Sequence, residues 1–333
     1  MVDHRVVPGA ECDLTLIARK LPIRAHKLSL DKRLRRFLAN GAVRVREWYR
    51  SRAGELLRAA SSAGQVHLII DCSKVSAGHQ LLMVGIAYRR RALPLAWTWV
   101  RCAKGHSTTH KQIRLLSYVR SLIPPGVQVS LVGDGEFGRP LLLDYLDHWG
   151  WQYALRQPGN HLIMTKGGPT WRRLDSFELR PGTTMWIGHA ILTQASPYPT
   201  HVLLHWRQGQ KEPWFLATNL VTPCAILRLY RRRMWIEEMF GDMKGHGFDL
   251  EASRLRHFLR LSRLTLAVCL VYLWLVALGD HVLHVHLLAL VDRSDRRDLS
   301  IFRLGWDFLE RCLALADPFP DLFIPNFCSV SGS

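Results

Sequence analysis

Residues Tyr230–Lys244 read YRRRMWIEEMFGDMK, and how this stretch folds decides how the rest of the chain must be arranged. Each residue of an α-helix advances about 100° around the axis. Tyr230, Arg233, Glu237 and Lys244 stand three, four and seven positions apart, so on one continuous helix they fall within roughly 60° of one another. They form a polar stripe with one acid among cations. Trp235, Ile236, Met239 and Met243 project from the opposite side, where an amphipathic helix meets a core. Thr222 and Pro223 suit the N-cap and first helical position, and Gly245 suits a C-terminal stop.

A stripe of this kind is, by itself, equally the solvated face of a helix whose glutamate sits in ion pairs. The order Y-x-x-R-x-x-x-E-x(6)-K carries more. It resembles the signature of DDE transposases of the insertion-sequence-four group, matched at Tyr230, Arg233, Glu237 and Lys244. The resemblance implies that Glu237 is the third acid of a two-metal site in a ribonuclease-H-like domain, and that Tyr230, Arg233 and Lys244 help hold the DNA end. Glu238 and Asp242 compete for the role of third acid, but they fall about 100° and 140° from Glu237 on the wheel. The resemblance also requires two aspartates upstream, each at the end of a strand.

The chain before Tyr230 supplies them. The apolar run Val66–Ile70 ends at Asp71, and two strand-like segments follow, His79–Tyr88 and Ala92–Val100, joined through the basic turn Arg89–Arg91. A helix from about Ser107 to Ile123 closes at Pro124, Pro125 and Gly126. The strand Val127–Val132 delivers Gly133, Asp134 and Gly135, before a helix, Arg139–Trp149, and a strand, Trp151–Arg156. An aspartate after a strand is often only a turn residue; two in the slots set by a separate motif are a stronger signal. The expected fold is α/β, a ribonuclease-H-like mixed five-stranded sheet flanked by helices. The expected domains are a helical basic DNA-binding domain (1–62), the catalytic domain (63–156 and 215–280), a β-rich insertion (157–214) and a helical C-terminal segment (281–333).

The insertion reads as short strands, His161–Thr165, Thr184–Thr193, His201–Trp206 and Trp214–Asn219, separated by Gly and Pro turns, with the last one placed to rejoin the main sheet. Trp171, Trp186 and Trp206 are candidates for stacking on an unpaired base, against the alternative of core packing. Near the N-terminus, Leu30, Leu34, Phe37 and Leu38 mark a helix behind Ser29, and eight Lys or Arg lie between Arg19 and Arg36. Arg33 and Arg36 are the candidate contacts there to a DNA backbone. The chain carries 45 Lys and Arg against 27 Asp and Glu, a net charge of +18, which suits a polyanionic partner and does not by itself name an activity.

Seven cysteines without a C-x-x-C pair read as reduced and structural. His281, His284 and His286 have ligand-like spacing but no fourth donor nearby and read as surface or packing residues. MVDHRVVPGAEC at the start has no apolar signal region, and the apolar stretch Leu264–Leu278 is too short for a bilayer, so it reads as a buried helix. The resemblance implies two Mg2+ ions, with Mn2+ as a substitute, held by Asp71, Asp134 and Glu237. It further implies double-stranded DNA as partner, at transposon ends and target, a homodimer or larger assembly, no membrane, and a prokaryotic, nucleoid-associated cytoplasmic location. A nuclease on the same fold and an inactive DNA-binding relative are the alternatives.

Overall fold

The computed structural model describes residues 12–20, 23–76, 78–101, 107–168, 170–245, 247–293 and 296–327. The opening residues 1–11, Cys102, Cys328, Pro169, His246 and the linker residues Ser294 and Asp295 lie outside these. Three helices come first: α1 (Leu14–Lys20), α2 (Lys27–Ala39) and α3 (Val45–Ala60). An antiparallel meander follows, β1 (Gln65–Ser76), β2 (His79–Tyr88) and β3 (Arg91–Arg101), then α4 (Thr109–Arg120), β4 (Gln128–Gly133), α5 (Pro140–His148) and β5 (Gln152–Arg156). After β6 (Leu162–Thr165), β7 (Arg172–Arg173), β8 (Thr184–Leu192), β9 (Tyr198–His205) and β10 (Trp214–Thr218) the chain is helical: α6 (Pro223–Tyr230), α7 (Met234–Met243), α8 (Phe258–His284) and α9 (Ile301–Leu315).

All ten strands join one sheet in the order β3-β2-β1-β4-β5-β10-β9-β8-β6-β7. The sheet therefore has ten strands where five were expected, because the strands expected in the β-rich insertion continue it. The physical reason is β10, which pairs antiparallel with β5 on one side and β9 on the other and leaves no free edge between the two halves. The inner strands β1, β4 and β5 run parallel. Leu68, Ile69 and Ile70 are all fully buried, as continuous apolar runs covered on both faces must be. Residues 89 and 90 make a two-residue hairpin turn in which both Arg89 (φ 40°) and Arg90 (φ 65°) are left-handed. Such turns favour Asn-Gly, and a bulky residue there costs on the order of 1 kcal/mol.

Two expected boundaries move. Asp71 does not end the first strand, because β2 holds β1 in place as far as Ser76. Helix α2 begins at Lys27 with His26 at its N-cap, so Ser29 falls inside the first turn. Leu30 and Leu38 are buried, whereas Phe37 is exposed.

The 27-residue α8 has a window of mean hydropathy 2.1, long and apolar enough to cross a membrane by length and composition, and 72% of that window is buried by the rest of the chain. Its buried Arg263 donates to the carbonyls of Val43 (3.1 Å) and Leu38 (2.8 Å), so the N-terminal helices are pinned to it. Helix α9 crosses α8 at two glycines. A Cβ on Gly279 would lie 1.9 Å from the Ile301 carbonyl oxygen, and one on Gly305 1.8 Å from that of Leu275. Neither backbone can yield without parting the helices. Gly305→Ala is therefore expected to destabilise the fold by about 3 kcal/mol, read as a lower urea midpoint; an unchanged midpoint would mean the helices do not meet so closely.

Candidate active site

The site begins with strand register. In the parallel β1–β4 ladder Ile69 pairs with Val132 and Ile70 with Gly133. The next residues are Asp71, still within β1, and Asp134, the first residue past β4. Neighbouring strands lie about 4.8 Å apart, and residues at one register position point to the same face. Two carboxylates are thus delivered side by side. Gly133 is needed beside them, because a Cβ there would come within 3.0 Å of both Ile70 and Phe137 side chains.

The two aspartates are not equivalent. Asp71 is buried, with 7% of its surface exposed, and one oxygen accepts from the Cys72 amide at 2.7 Å. Burial first, and the charge of Asp134 second, push its carboxyl up to about 7; Arg233 and the Cys72 amide pull it down, and Glu237 adds to the rise. Asp134 is half-buried and accepts from the Glu136 amide at 2.9 Å.

The stretch Tyr230–Lys244 is not one helix. Helix α6 ends at Tyr230, Arg231–Arg233 form a 3-10 turn, and α7 starts at Met234. A 3-10 turn advances about 120° per residue, so three such residues swing Tyr230 some 60° out of the expected stripe. It is buried, its ring edge-on to Trp214 at 4.9 Å, and its hydroxyl has no hydrogen-bond partner; burial pushes that hydroxyl's pKa up to about 12. Arg233 and Glu237 remain one turn apart. The Arg233 guanidinium lies 2.5 Å from Glu237 and 3.8 Å from Asp71, so it stands between the acid of α7 and the acid of β1.

The other two acids of α7 face elsewhere. Arg91 of β3 lies 2.7 Å from Asp242 and 3.4 Å from Glu238. Lys244 sits just past the end of α7; it donates to the Lys74 carbonyl and lies 3.4 Å from Glu251. That ties it to β1 three residues beyond Asp71.

Asp134, Arg233 and Glu237 line a cleft of about 840 Å3, shared with Trp206, Arg156 and Phe215. Trp206 is half-buried, its indole N–H donating to the Gln210 carbonyl at 2.9 Å. Trp171 and Trp186 do not line this cleft. Trp186 lies on β8 against His201 at 5.6 Å. Arg33 and Arg36 are exposed on α2, far along the chain from the acids. Sequence reading passed over Arg156, which holds Glu212 at 3.1 Å on the cleft wall. The signal was available: Arg156 ends β5, and in α/β sheets functional groups gather at the carboxyl ends of parallel strands.

Among the described residues no set of three His, Cys, Asp or Glu side chains is arranged to hold a metal ion. His284 instead takes part in a local network, accepting or donating at Asp280 and Asn326. The donor set around Asp71 nonetheless fits a hard cation. It consists of carboxylate oxygens alone, one of them on a buried group that burial and a neighbouring charge hold against ionisation.

No curated protein sequence matches the chain. Among solved structures it is similar to the piggyBac transposase synaptic complex with hairpin DNA, determined by cryo-EM, at 10% identity and a TM-score of 0.38, covering 80% of this chain and 59% of that one. The family model of the transposase DDE domain matches residues 64–274, a span that holds Asp71, Asp134 and Glu237, and by that match the chain belongs to the transposase DDE domain family.

Proposed function

We propose that the chain is a DNA transposase of the insertion-sequence-four kind, cutting at transposon ends and joining them to target DNA, on a ribonuclease-H-like core. The observation that carries this reading is that Asp71 and Asp134 directly follow the last β1–β4 pair, Ile70 with Gly133, while Arg233, just before α7, reaches both Asp71 and Glu237. Carboxylates crowded in this way are unfavourable unless a cation joins them. The order of elements, three strands, helix, strand, helix, strand, supports the ribonuclease-H-like assignment.

Asp71, Asp134 and Glu237 are the residues that would hold two Mg2+ or Mn2+ ions. When bound, such ions lower the pKa of an attacking water or 3′ hydroxyl and stabilise the departing oxygen of a phosphodiester. The protein's own groups would do the rest. Arg156, Arg233 and Lys244 meet phosphates beside the cleft, and Trp206 offers a π-face to an unpaired base on its wall. Double-stranded DNA would be the partner, with paired ends requiring a homodimer or larger assembly, in the nucleoid of a prokaryotic cell. One observation favours a second reading, a DNA-binding relative without cleavage: Arg233 already pairs with Glu237 and stands against Asp71.

Plasmid cleavage in Mg2+ or Mn2+ separates the two. Glu237→Gln is expected to lower the rate by on the order of a hundredfold or more, with duplex affinity nearly unchanged. If the unaltered protein binds DNA yet never cuts it, the second reading stands.

Stability against pH tests the acid site without catalysis. The folded carboxyl of Asp71 sits near 7, against 3.8 for the ordinary group, so the native state holds this proton more tightly than the unfolded chain. Its stabilising contribution is complete below about pH 4 and is lost as pH rises through 7. Asp71→Asn is expected to raise the Tm at pH 7.5 and leave it little changed at pH 4.5, and millimolar Mg2+ to raise the Tm of the unaltered protein alone at pH 7.5. A lower Tm for the variant at pH 7.5 would contradict the electrostatic picture.

A further inference from the structure

A second cleft, of about 400 Å3, opens on the other side of α7's first turn. Arg233 lines the acid cleft, and the next residue, Met234, lines this one together with Trp235. Its walls carry four guanidinium groups, Arg89, Arg90 and Arg91 from the β2–β3 turn and Arg297 from the segment leading into α9. The N-terminus of the 15-residue α9 forms its rim at Ser300 and Ile301, and that end of a helix adds partial positive charge.

The neighbouring acids are already engaged. Asp280 lies 3.4 Å from Arg89, and Asp242 and Glu238 hold Arg91 at 2.7 and 3.4 Å. Asp298 pairs with Arg296 at 2.6 Å and Arg293 at 3.8 Å. Asp292 accepts the amides of Arg293, Asp298 and Leu299. Among the described residues, Arg90 and Arg297 have no carboxylate within ion-pair distance, and both are exposed. Desolvation, and then the like charges of Arg90 and Arg89, lower the pKa of Arg297.

The turn points the same way. Arg89 and Arg90 both occupy left-handed backbone conformations, where Asn and Gly are the undemanding choices. Strain of this kind persists where the side chain has work to do. Arg89 has a partner in Asp280; among the described residues Arg90 has no carboxylate within ion-pair distance.

We propose that Arg90 and Arg297, at the mouth of this cleft, bind backbone phosphates of DNA that passes over the first turn of α7 from the acid cleft. This rests on the transposase reading for its ligand and adds a second anchoring site, built from the hairpin turn and α9 rather than from the acid-bearing elements. Two phosphate contacts outside the cutting site would fix the direction in which the duplex leaves it.

The test uses the full chain with Arg90→Gly and Arg297→Ala combined. Glycine relieves the turn, so this variant is expected to fold with an equal or higher Tm. Binding of a duplex, followed by fluorescence anisotropy between about 0.05 and 0.2 M salt, should lose close to 2 from the slope of log K against log salt. Affinity at 0.1 M should fall about tenfold or more. Arg114→Ala with Arg311→Ala removes the same charge from exposed sites on α4 and α9 and serves as the matched control. A single Arg297→Glu should weaken binding in the same sense. If the cleft variant binds DNA as the control does, the site is refuted while the transposase reading stands. If it does so while inorganic pyrophosphate raises the Tm of the unaltered protein only, the cleft holds a small phosphoanion instead of DNA. If the unaltered protein binds no duplex at low salt, both readings fall together.

Discussion

Two carboxylates brought together just beyond the last pair of a parallel ladder are the constraint on which this structure turns. Backbone hydrogen bonds between β1 and β4 set the pairing of Ile70 with Gly133, and Asp71 and Asp134 are the next residues, the one still in β1 and the other just past β4. Two unit charges about 5 Å apart repel by roughly 3 kcal/mol at an effective dielectric near 20. The ladder bears this because the apolar residues before it, Leu68, Ile69, Ile70, Leu131 and Val132, are almost completely buried. Stability is made in the first half of the strands and spent at their ends.

Arg233 is the internal answer to that repulsion. It sits on the 3-10 turn between α6 and α7, reaches Glu237 at 2.5 Å and Asp71 at 3.8 Å, and is itself largely buried. A guanidinium cannot lose its proton in a protein, so it supplies a permanent counter-charge until a stronger one arrives. The same geometry makes the site responsive. A cation shared by the three acids would release Arg233 from Asp71, and a released guanidinium beside a cleft is suited to a phosphate. The 3-10 turn also explains Tyr230, which a continuous helix would have kept on the exposed stripe.

Much of this was legible in the sequence. The limits of β2 match the segment expected from its aromatic and branched residues, His79–Tyr88, residue for residue, and β10 was expected to rejoin the main sheet. The three candidate acids could be named because Asp71 and Asp134 follow apolar runs and Glu237 sits at a helical interval from Arg233; what the structure adds is that Asp134 and Glu237 line one cleft and Arg233 reaches Asp71. The ten-stranded sheet was not legible, because strand segments announce themselves locally while their partners do not: nothing in Trp214–Thr218 says that it will pair with both β5 and β9. The end of β1 was misplaced for a related reason. Cys72, Ser73 and Lys74 look like a turn, and only pairing with β2 as far as Ser76 keeps them extended. Tyr230 was misplaced because a wheel assumes one helical period throughout. Arg156 was passed over although its place at the carboxyl end of β5 was legible, because no motif drew attention to it.

Helix α7 offers three acids in six residues, and the fold must present the right one. A rotation of about 100° would replace Glu237 by Glu238 at the cleft. The apolar face of Ile236, Met239 and Met243 restrains such a rotation only loosely, since apolar contacts are not directional. The pair between Arg91 and Asp242, both nearly buried at 2.7 Å, is directional. Replacing it by two apolar side chains of similar size would remove a desolvation penalty, but it would also remove the contact that distinguishes one rotation from the next. Arg91 therefore acts from the far side of α7: it holds Asp242 and Glu238 there, while Glu237 lines the cleft with Asp134.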